Sequence, residues 1–303
     1  MESTDLRLSV LIPTYNFDCT PLAEVLSRQA GRTDIPVEIL IADDGSTRED
    51  IRRSIGLCDG LPHVRLVRPA CNIGRSAIRN LLFRESAGTH LLFLDSDGVP
   101  SDGAFLSRYI EALREHPHGV VCGGILHPDR LPSPAVSLRW RYEKAAERRF
   151  TQAWKASHPY DCFRSFNFLI DRESFARILF DESIRHYGFE DVLFGRRLQE
   201  CGIPVYHTEN PLTNTDIEPN ETYLRKNEEA LRTLADHYGK LHQSVRIAQA
   251  WEKLRRLRLL LPFRFCFRLL RPCLRRHLCG SRPSVFLLNV YKLGYLDSCI
   301  NKG

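Results

Sequence analysis

No run of about 18 or more uncharged apolar residues occurs in the sequence, so a membrane-spanning helix is not expected. The first residues, Met-Glu-Ser-Thr-Asp, hold neither a basic stretch nor an apolar one, and no secretory signal is expected. None of the ten cysteines stands in a CxxC pair, and no Cys/His group has zinc-finger spacing. These absences argue against a zinc module and against a disulfide framework; reduced thiols in a cytosolic setting are the expectation. Internal repeats and low-complexity tracts are missing as well.

What is present is ordinary in bulk and uneven in detail. The hydrophobic share of 43% and charged share of 26% are those of a soluble globular protein. A length of 303 residues leaves room for one large α/β domain with an appendage, or for two modest domains. The net charge of +6 is concentrated. Between residues 246 and 277 ten basic residues face one acid, Glu252, a surplus larger than that of the whole chain. The division expected is a catalytic domain over 1–245 and a basic helical tail over 246–303.

Short apolar runs alternate with amphipathic helical patterns through the first half. LRLSVLIP (6–13), VEILIAD (37–43), HVRLVR (63–68) and HLLFLD (90–95) read as strands buried on both faces. PLAEVLSRQA, REDIRRSIGL and RSAIRNLLFRESAG between them have helical spacing. That order predicts a mostly parallel sheet flanked by helices, with ligands outside the carboxyl ends of the strands. Further on, helices are expected over 101–115, 138–153 and the stretch FEDVLFGRRLQECG, and strands at GVVCGGIL, RSFNFLI and IPVYH.

Polar clusters follow each of the first four strands: Pro13-Thr14-Tyr15-Asn16, Asp43-Asp44-Gly45-Ser46, Asn72-Ile73-Gly74-Arg75 and Asp95-Ser96-Asp97-Gly98. One such cluster is explained by helix caps or turns. Four in succession on one rim are harder to explain that way. In extended chain, residues i and i+2 project to the same side, so Asp95 and Asp97 can face one cation, or one can bind it directly and the other through water. Hard oxygen ligands suit Mg²⁺ or Mn²⁺, which keep positions open for phosphate oxygens, and a diphosphate is the natural partner.

The strings VLIPTYN, IADDGST, NIGRSAIRN, LFLDSDG and GFEDVLFGRRL, in this order, resemble those of the family 2 inverting glycosyltransferases of the GT-A fold. The resemblance covers about two thirds of the chain, roughly residues 8–200, and its strength lies in the joint order of short motifs. It implies that Pro13, Tyr15, Asn16 and Asp44 line a nucleoside pocket, that Arg75 or Arg79 reaches the nucleotide-sugar, and that Asp95 and Ser96 belong to the diphosphate grip. It implies Asp97 as the firmest ligand of a Mn²⁺ or Mg²⁺ ion, with Asp95 as second carboxylate. Asp191 is implied as general base, Glu190 as its positioning or acceptor-binding neighbour, and Asn167 as a residue near the acceptor. Many relatives complete the metal site with a histidine; here the candidates for that place are Asn214 and His207, or water.

The expected activity is inverting transfer of a sugar from a nucleoside-diphosphate donor, a UDP-sugar first, to a glycan or lipid-linked hydroxyl. The alternative is a catalytically silent protein of the same fold that binds nucleotide-sugar or glycan. The tail mixes arginine with leucine and phenylalanine, and Pro262 and Pro272 are expected to cut it into short helices. Basic amphipathic helices lie on anionic membrane surfaces. The apolar content argues against nucleic acid, and the expected location is the inner face of the cytoplasmic membrane.

Overall fold

The computed structural model describes residues 6–301. The chain divides into two compact units. One holds the residues up to Leu126, Gln152–Arg185 and Phe194–Thr215; the other holds His127–Thr151, His186–Leu193 and the chain from Asp216 on.

The first unit begins with β1 (Leu8–Thr14), α1 (Thr20–Ala30), β2 (Val37–Asp43), α2 (Glu49–Leu57), β3 (Val64–Val67), α3 (Arg75–Glu85) and β4 (His90–Leu94). β5 (Gly98–Pro100), α4 (Phe105–Glu115), β6 (Val120–Cys122) and β7 (Ile125–Leu126) follow. The chain then makes α5 (Ser137–Arg149), which belongs to the second unit, and returns with α6 (Gln152–Ser157), β8 (Asn167–Asp171) and α7 (Arg172–Ile178). α8 (Glu190–Glu200) starts in the second unit and runs on into the first, before β9 (Val205–His207) and β10 (Leu212–Asn214).

Seven strands form one sheet in the order β3-β2-β1-β4-β8-β6-β9, and β8 alone runs antiparallel to its neighbours. Alternation along each strand feeds two cores. Val10 and Ile12 of β1, Ile39 and Ile41 of β2 and Leu92 of β4 pack with α1, α2 and α4. Leu11, Leu40 and Phe93 face the other way, toward α3, α7 and α8. That second core is rich in phenylalanine: Phe93 stacks on Phe168 at 4.9 Å and Phe163 on Phe194 at 5.2 Å between centroids, inside the range where aromatic pairs attract.

Register sets the rim. Thr14 pairs with Asp43, so the loops after β1 and β2 leave the sheet side by side. Leu94 pairs with Asn167, which brings the start of β8 to the end of β4. A second, three-stranded sheet, β5-β10-β7, pairs Asn214 with Gly98, next to Asp97. β5 and β10, of three residues each, are not among the sequence expectations. GVVCGGIL, expected as one strand, is divided between the two sheets at Gly123-Gly124, and the helix expected over 138–153 breaks into α5 and α6.

The second unit adds α9 (Asn220–Asp236), α10 (Tyr238–Leu241), α11 (Arg246–Arg256), α12 (Leu260–Leu278) and α13 (Val285–Ile300). α12 and α13 pack against α9 within this unit. The expectation that both prolines break the tail is corrected: Pro262 sits in the first turn of α12, where no intrahelical donor is lost, and Pro272 lies within the helix, which continues to Leu278. Gly294 of α13 makes room for Phe267 of α12; a Cβ there would stand 2.3 Å from the ring.

Candidate active site

In the first unit the end of β1 and the DDGS turn are laced together. Asn16, held at φ 51°, donates its backbone N–H to Ser46 Oγ at 2.8 Å. Its side-chain oxygen accepts from the N–H groups of Thr47 (2.8 Å) and Arg48 (3.1 Å), at the start of α2. Asn16 therefore serves the loop's shape, and it leaves the ring of Tyr15 half-exposed on the rim, able to stack on a flat base. Pro13 precedes them within β1.

Asp44 is buried, and each carboxylate oxygen accepts a backbone N–H of the loop before α3: Ile73 at 2.7 Å and Gly74 at 3.0 Å. Burial pushes its pKa up, the two amides pull it down, and neighbouring Asp43 adds to the rise; the net is upward. Each oxygen keeps a second lone pair for a base. Asn72, a residue of this loop without an assigned role in the sequence, ties it further by donating to the Asp44 carbonyl at 2.8 Å.

The two candidate arginines part company. Arg75 is exposed in the first turn of α3. Arg79 is only 2% exposed; its Nη2 donates to Asp95 Oδ1 at 2.6 Å, Nη1 donates to the Arg75 carbonyl at 3.2 Å, and the guanidinium lies over the Phe180 ring. One carboxylate oxygen of Asp95, Oδ1, is thus taken by Arg79, and Arg79 acts on anything outside the protein through Asp95. Asn80, one residue on, clamps the chain at 180–182 by accepting from Phe180 N–H and donating to its carbonyl and to Glu182.

Ser96 and Asp97 complete the turn into β5. Thr215 holds Asp97 by its backbone, with N–H and hydroxyl both donating to the Asp97 carbonyl at 2.9 and 3.0 Å. The Asp97 carboxylate accepts Asn214 Nδ2 at 2.9 Å. The amide oxygen of Asn214 is fully buried and has no hydrogen-bond partner. Turned over, that amide would set an oxygen beside the carboxylate, an arrangement a cation relieves. Three side-chain oxygen donors, from Asp97, Asn214 and Asp95, suit Mg²⁺ or Mn²⁺ with phosphate and water as remaining ligands. No group of three or more His, Cys, Asp or Glu able to hold a metal occurs among the described residues. The fit therefore depends on the Asn214 amide.

His207, at the end of β9, has its Nε2 2.9 Å from the Pro159 carbonyl, and burial lowers its pKa, so it stands neutral as a strand-end brace. Asn214, not His207, touches Asp97. Asn167 is buried, with its oxygen accepting from the Tyr109 hydroxyl at 2.6 Å and its amide donating to the carbonyls of Gly124 and Asn210. It cross-braces the sheets.

Glu190 and Asp191 lie in the second unit, in the first turn of α8, where negative charge complements the helix dipole. Glu190 is buried; Asp191 is half-buried and accepts the Val192 N–H at 2.8 Å. The turn that delivers them is unusual. Gly188 has φ 111° and Phe189 φ 68°, and a Cβ on Gly188 would stand 2.5 Å from the Cβ of Ala230 on α9. A bulky residue at positive φ stores strain of about 1–3 kcal/mol, a cost found where a side chain must be aimed. Tyr187 fastens the turn to α9: its carbonyl accepts from Thr233 Oγ1 at 3.0 Å and its N–H donates to Glu229 at 3.3 Å.

Residues 9–175 match the model of the family described as "Glycosyl transferase family 2". The chain is 25% identical over 252 residues to a hyaluronan synthase of Pasteurella multocida, a match that takes in 69% of this chain and 25% of that protein. The chain thus spans about a quarter of the length of that relative. Among solved structures it is similar to the mannosyltransferase PcManGT of Pyrobaculum calidifontis in complex with GDP-Man and Mn²⁺, with a TM-score of 0.59, 15% identity, and coverage of 97% of this chain and 86% of that one. It is also similar to S. aureus TarS 1–349 in complex with UDP-GlcNAc, with a TM-score of 0.52, 15% identity, and coverage of 98% and 92%.

Proposed function

Since the chain belongs to glycosyltransferase family 2, we propose that it moves a sugar from a nucleoside-diphosphate donor to a hydroxyl of a glycan or lipid-linked acceptor, with inversion at the anomeric carbon. The observation that carries the reading is the rim of the first unit. Tyr15, Asp44, Arg75 and the Asp95-Ser96-Asp97 turn leave adjacent strand ends, where open α/β sheets take nucleotides. Nucleotide-sugar complexes on similar folds support the same donor class, with a UDP-sugar the first candidate and GDP-sugars next.

Asp191 is assigned as the base. It takes the proton of the acceptor hydroxyl while the oxygen attacks opposite the leaving diphosphate, a contribution of about 10²–10⁴-fold. Glu190, buried beside it, positions the base or the acceptor. Arg75 meets the donor, and Arg79 fixes Asp95. Mn²⁺ or Mg²⁺, when bound, neutralises charge developing on the diphosphate; Asp97, Asp95 and Asn214 are the residues that would hold it.

The basic tail is assigned to an anionic membrane surface on the cytoplasmic side, where a lipid-linked acceptor would be met. The second reading, a silent sugar-nucleotide-binding protein, draws only on the amide at position 214. Incubation with labelled UDP-, GDP-, CDP- and dTDP-sugars, with and without Mn²⁺, separates the two. Donor hydrolysis or transfer supports an enzyme, thermal stabilisation without turnover supports the binder, and stabilisation by no nucleotide defeats both.

A further inference from the structure

The tail's arginines and its apolar side chains point in opposite directions from those expected of a basic surface helix. Arg264 forms a two-point ion pair with Asp297 of α13 at 2.7 and 3.1 Å. Arg275 pairs with buried Glu228 at 2.8 Å and with Glu221, and Arg271 lies over the ring of Tyr295. These arginines share the helical face of buried Phe267 and Leu278. A separate face, about 120° round the helix, carries Leu261, Phe265 and Leu269, spaced i, i+4 and i+8, at 74%, 66% and 64% exposure. Leu257, Leu259 and Leu270 are exposed close by. The outward surface of α12 is thus apolar, while three of its arginines are spent inside the unit.

We propose that this outward face of α12 seats in the boundary between headgroups and acyl chains of an anionic phospholipid bilayer, with the helix axis in the membrane plane. The proposal rests on the membrane reading above and adds which side chains enter the lipid. Charge picks the occupant. No Asp or Glu occurs from residue 253 to 296. Arg256, Arg258, Arg268 and Arg276 are exposed and make no ion pair among the described residues, so an unneutralised basic rim surrounds the apolar stripe. A second copy of the same face would set rim against rim with like charge. Anionic headgroups neutralise the rim while the acyl region takes the leucines and the phenylalanine. No helix among the described residues is long and apolar enough to cross a membrane, so α12, roughly 28 Å long at 1.5 Å per residue, lies on the surface.

The test uses the full chain and sedimentation with phosphatidylcholine vesicles, with and without one-third phosphatidylglycerol. Wild type is expected to bind the anionic vesicles, and Leu261→Ser/Phe265→Ser/Leu269→Ser to lose about tenfold in partition, since exposed apolar groups are what inserts. Failure of wild type to bind anionic vesicles defeats the membrane reading as a whole. Equal binding by wild type and the triple variant leaves that reading intact and overturns the insertion of α12. Phe265→Trp covers the case of a triple variant that misfolds: its new indole should shift to the blue and be quenched by brominated lipid, and an unquenched indole on bound protein refutes the proposal. A triple variant that turns a dimer into monomers without changing partition also refutes it, in favour of self-association.

Discussion

Asn214 and Asp97 stand 117 residues apart in sequence and 2.9 Å apart in the structure, amide nitrogen to carboxylate oxygen. Antiparallel pairing of β10 with β5 makes the contact, and the unpartnered Asn214 oxygen gives it a use. If the amide completes the cation's shell, Asn214→Ala should raise the Mn²⁺ concentration needed for half-maximal nucleotide binding by about tenfold, in the range seen when groups supporting a metal are removed. Asn214→Asp should restore binding. Calorimetric titration of UDP at several Mn²⁺ levels reads both, and a Mn²⁺ requirement identical in wild type and Asn214→Ala would remove Asn214 from the site.

Arg75 and Arg79 should separate in kind. Arg75 is exposed, so Arg75→Ala should weaken donor binding and cost less stability than Arg79→Ala. Arg79→Ala leaves Asp95 without its partner and opens space against Phe180. Breaking a buried pair costs about 3–5 kcal/mol, and the figure here belongs nearer 2–3 because Asp95 is partly exposed. Urea unfolding measures it. A stable Arg79→Ala with a donor defect as large as that of Arg75→Ala would reverse the roles.

The strands β1, β2, β4 and β8 were legible because strands buried on both faces print continuous apolar runs, and polar clusters marked the ends of the first four strands; β3, a partly exposed edge strand, showed only as the short run HVRLVR. The fate of those clusters was not legible. Arg75 and Arg79 fall on one face of α3, one turn apart, and what divides them is Phe180 and Asp95, distant in sequence. β5, β7 and β10 are too short to show a period, so the contact that ties Asn214 to Asp97 had no local signature. The tail's charge was plain from composition. The direction of its arginines was not, because Asp297 and Glu228, which turn them inward, lie outside the basic stretch. The positive φ at Phe189 likewise has no mark in GFED beyond the glycine before it.

The GFED turn makes Asp191 and Gly188 testable apart. Asp191→Asn removes a base and should lower transfer by about 10²–10⁴-fold with nucleotide binding intact. A near-normal rate would remove Asp191 from the chemistry. Gly188→Ala acts on position instead: φ 111° and the 2.5 Å approach to Ala230 force the turn off α9. It should cost about 2–4 kcal/mol, combining backbone strain with overpacking, and lower transfer without changing its pH profile. Scanning calorimetry and a pH series distinguish the two variants.

Asp297 holds the tail helices together, and its protonation sets an acid limit to that packing. It accepts from Arg264, from the Trp251 indole at 3.1 Å and from Asn301, and it is 1% exposed. Burial alone would raise its pKa, but Arg264 and the Trp251 and Asn301 donors outweigh it, and the net shift is downward from 3.8. A carboxyl whose folded pKa lies below its unfolded one stabilises fully above the unfolded value and loses that contribution as pH falls through the folded value. Wild type should therefore exceed Asp297→Ala in stability at pH 7 by about 3 kcal/mol, the order expected when one partner of a buried pair is removed. The gap should narrow only below pH 3.8. Chemical unfolding at pH 7, 5 and 3, followed through Trp251 fluorescence, measures it. A gap that is already closed at pH 5 would mean that the Arg264 pairing does not hold the acid in its charged form.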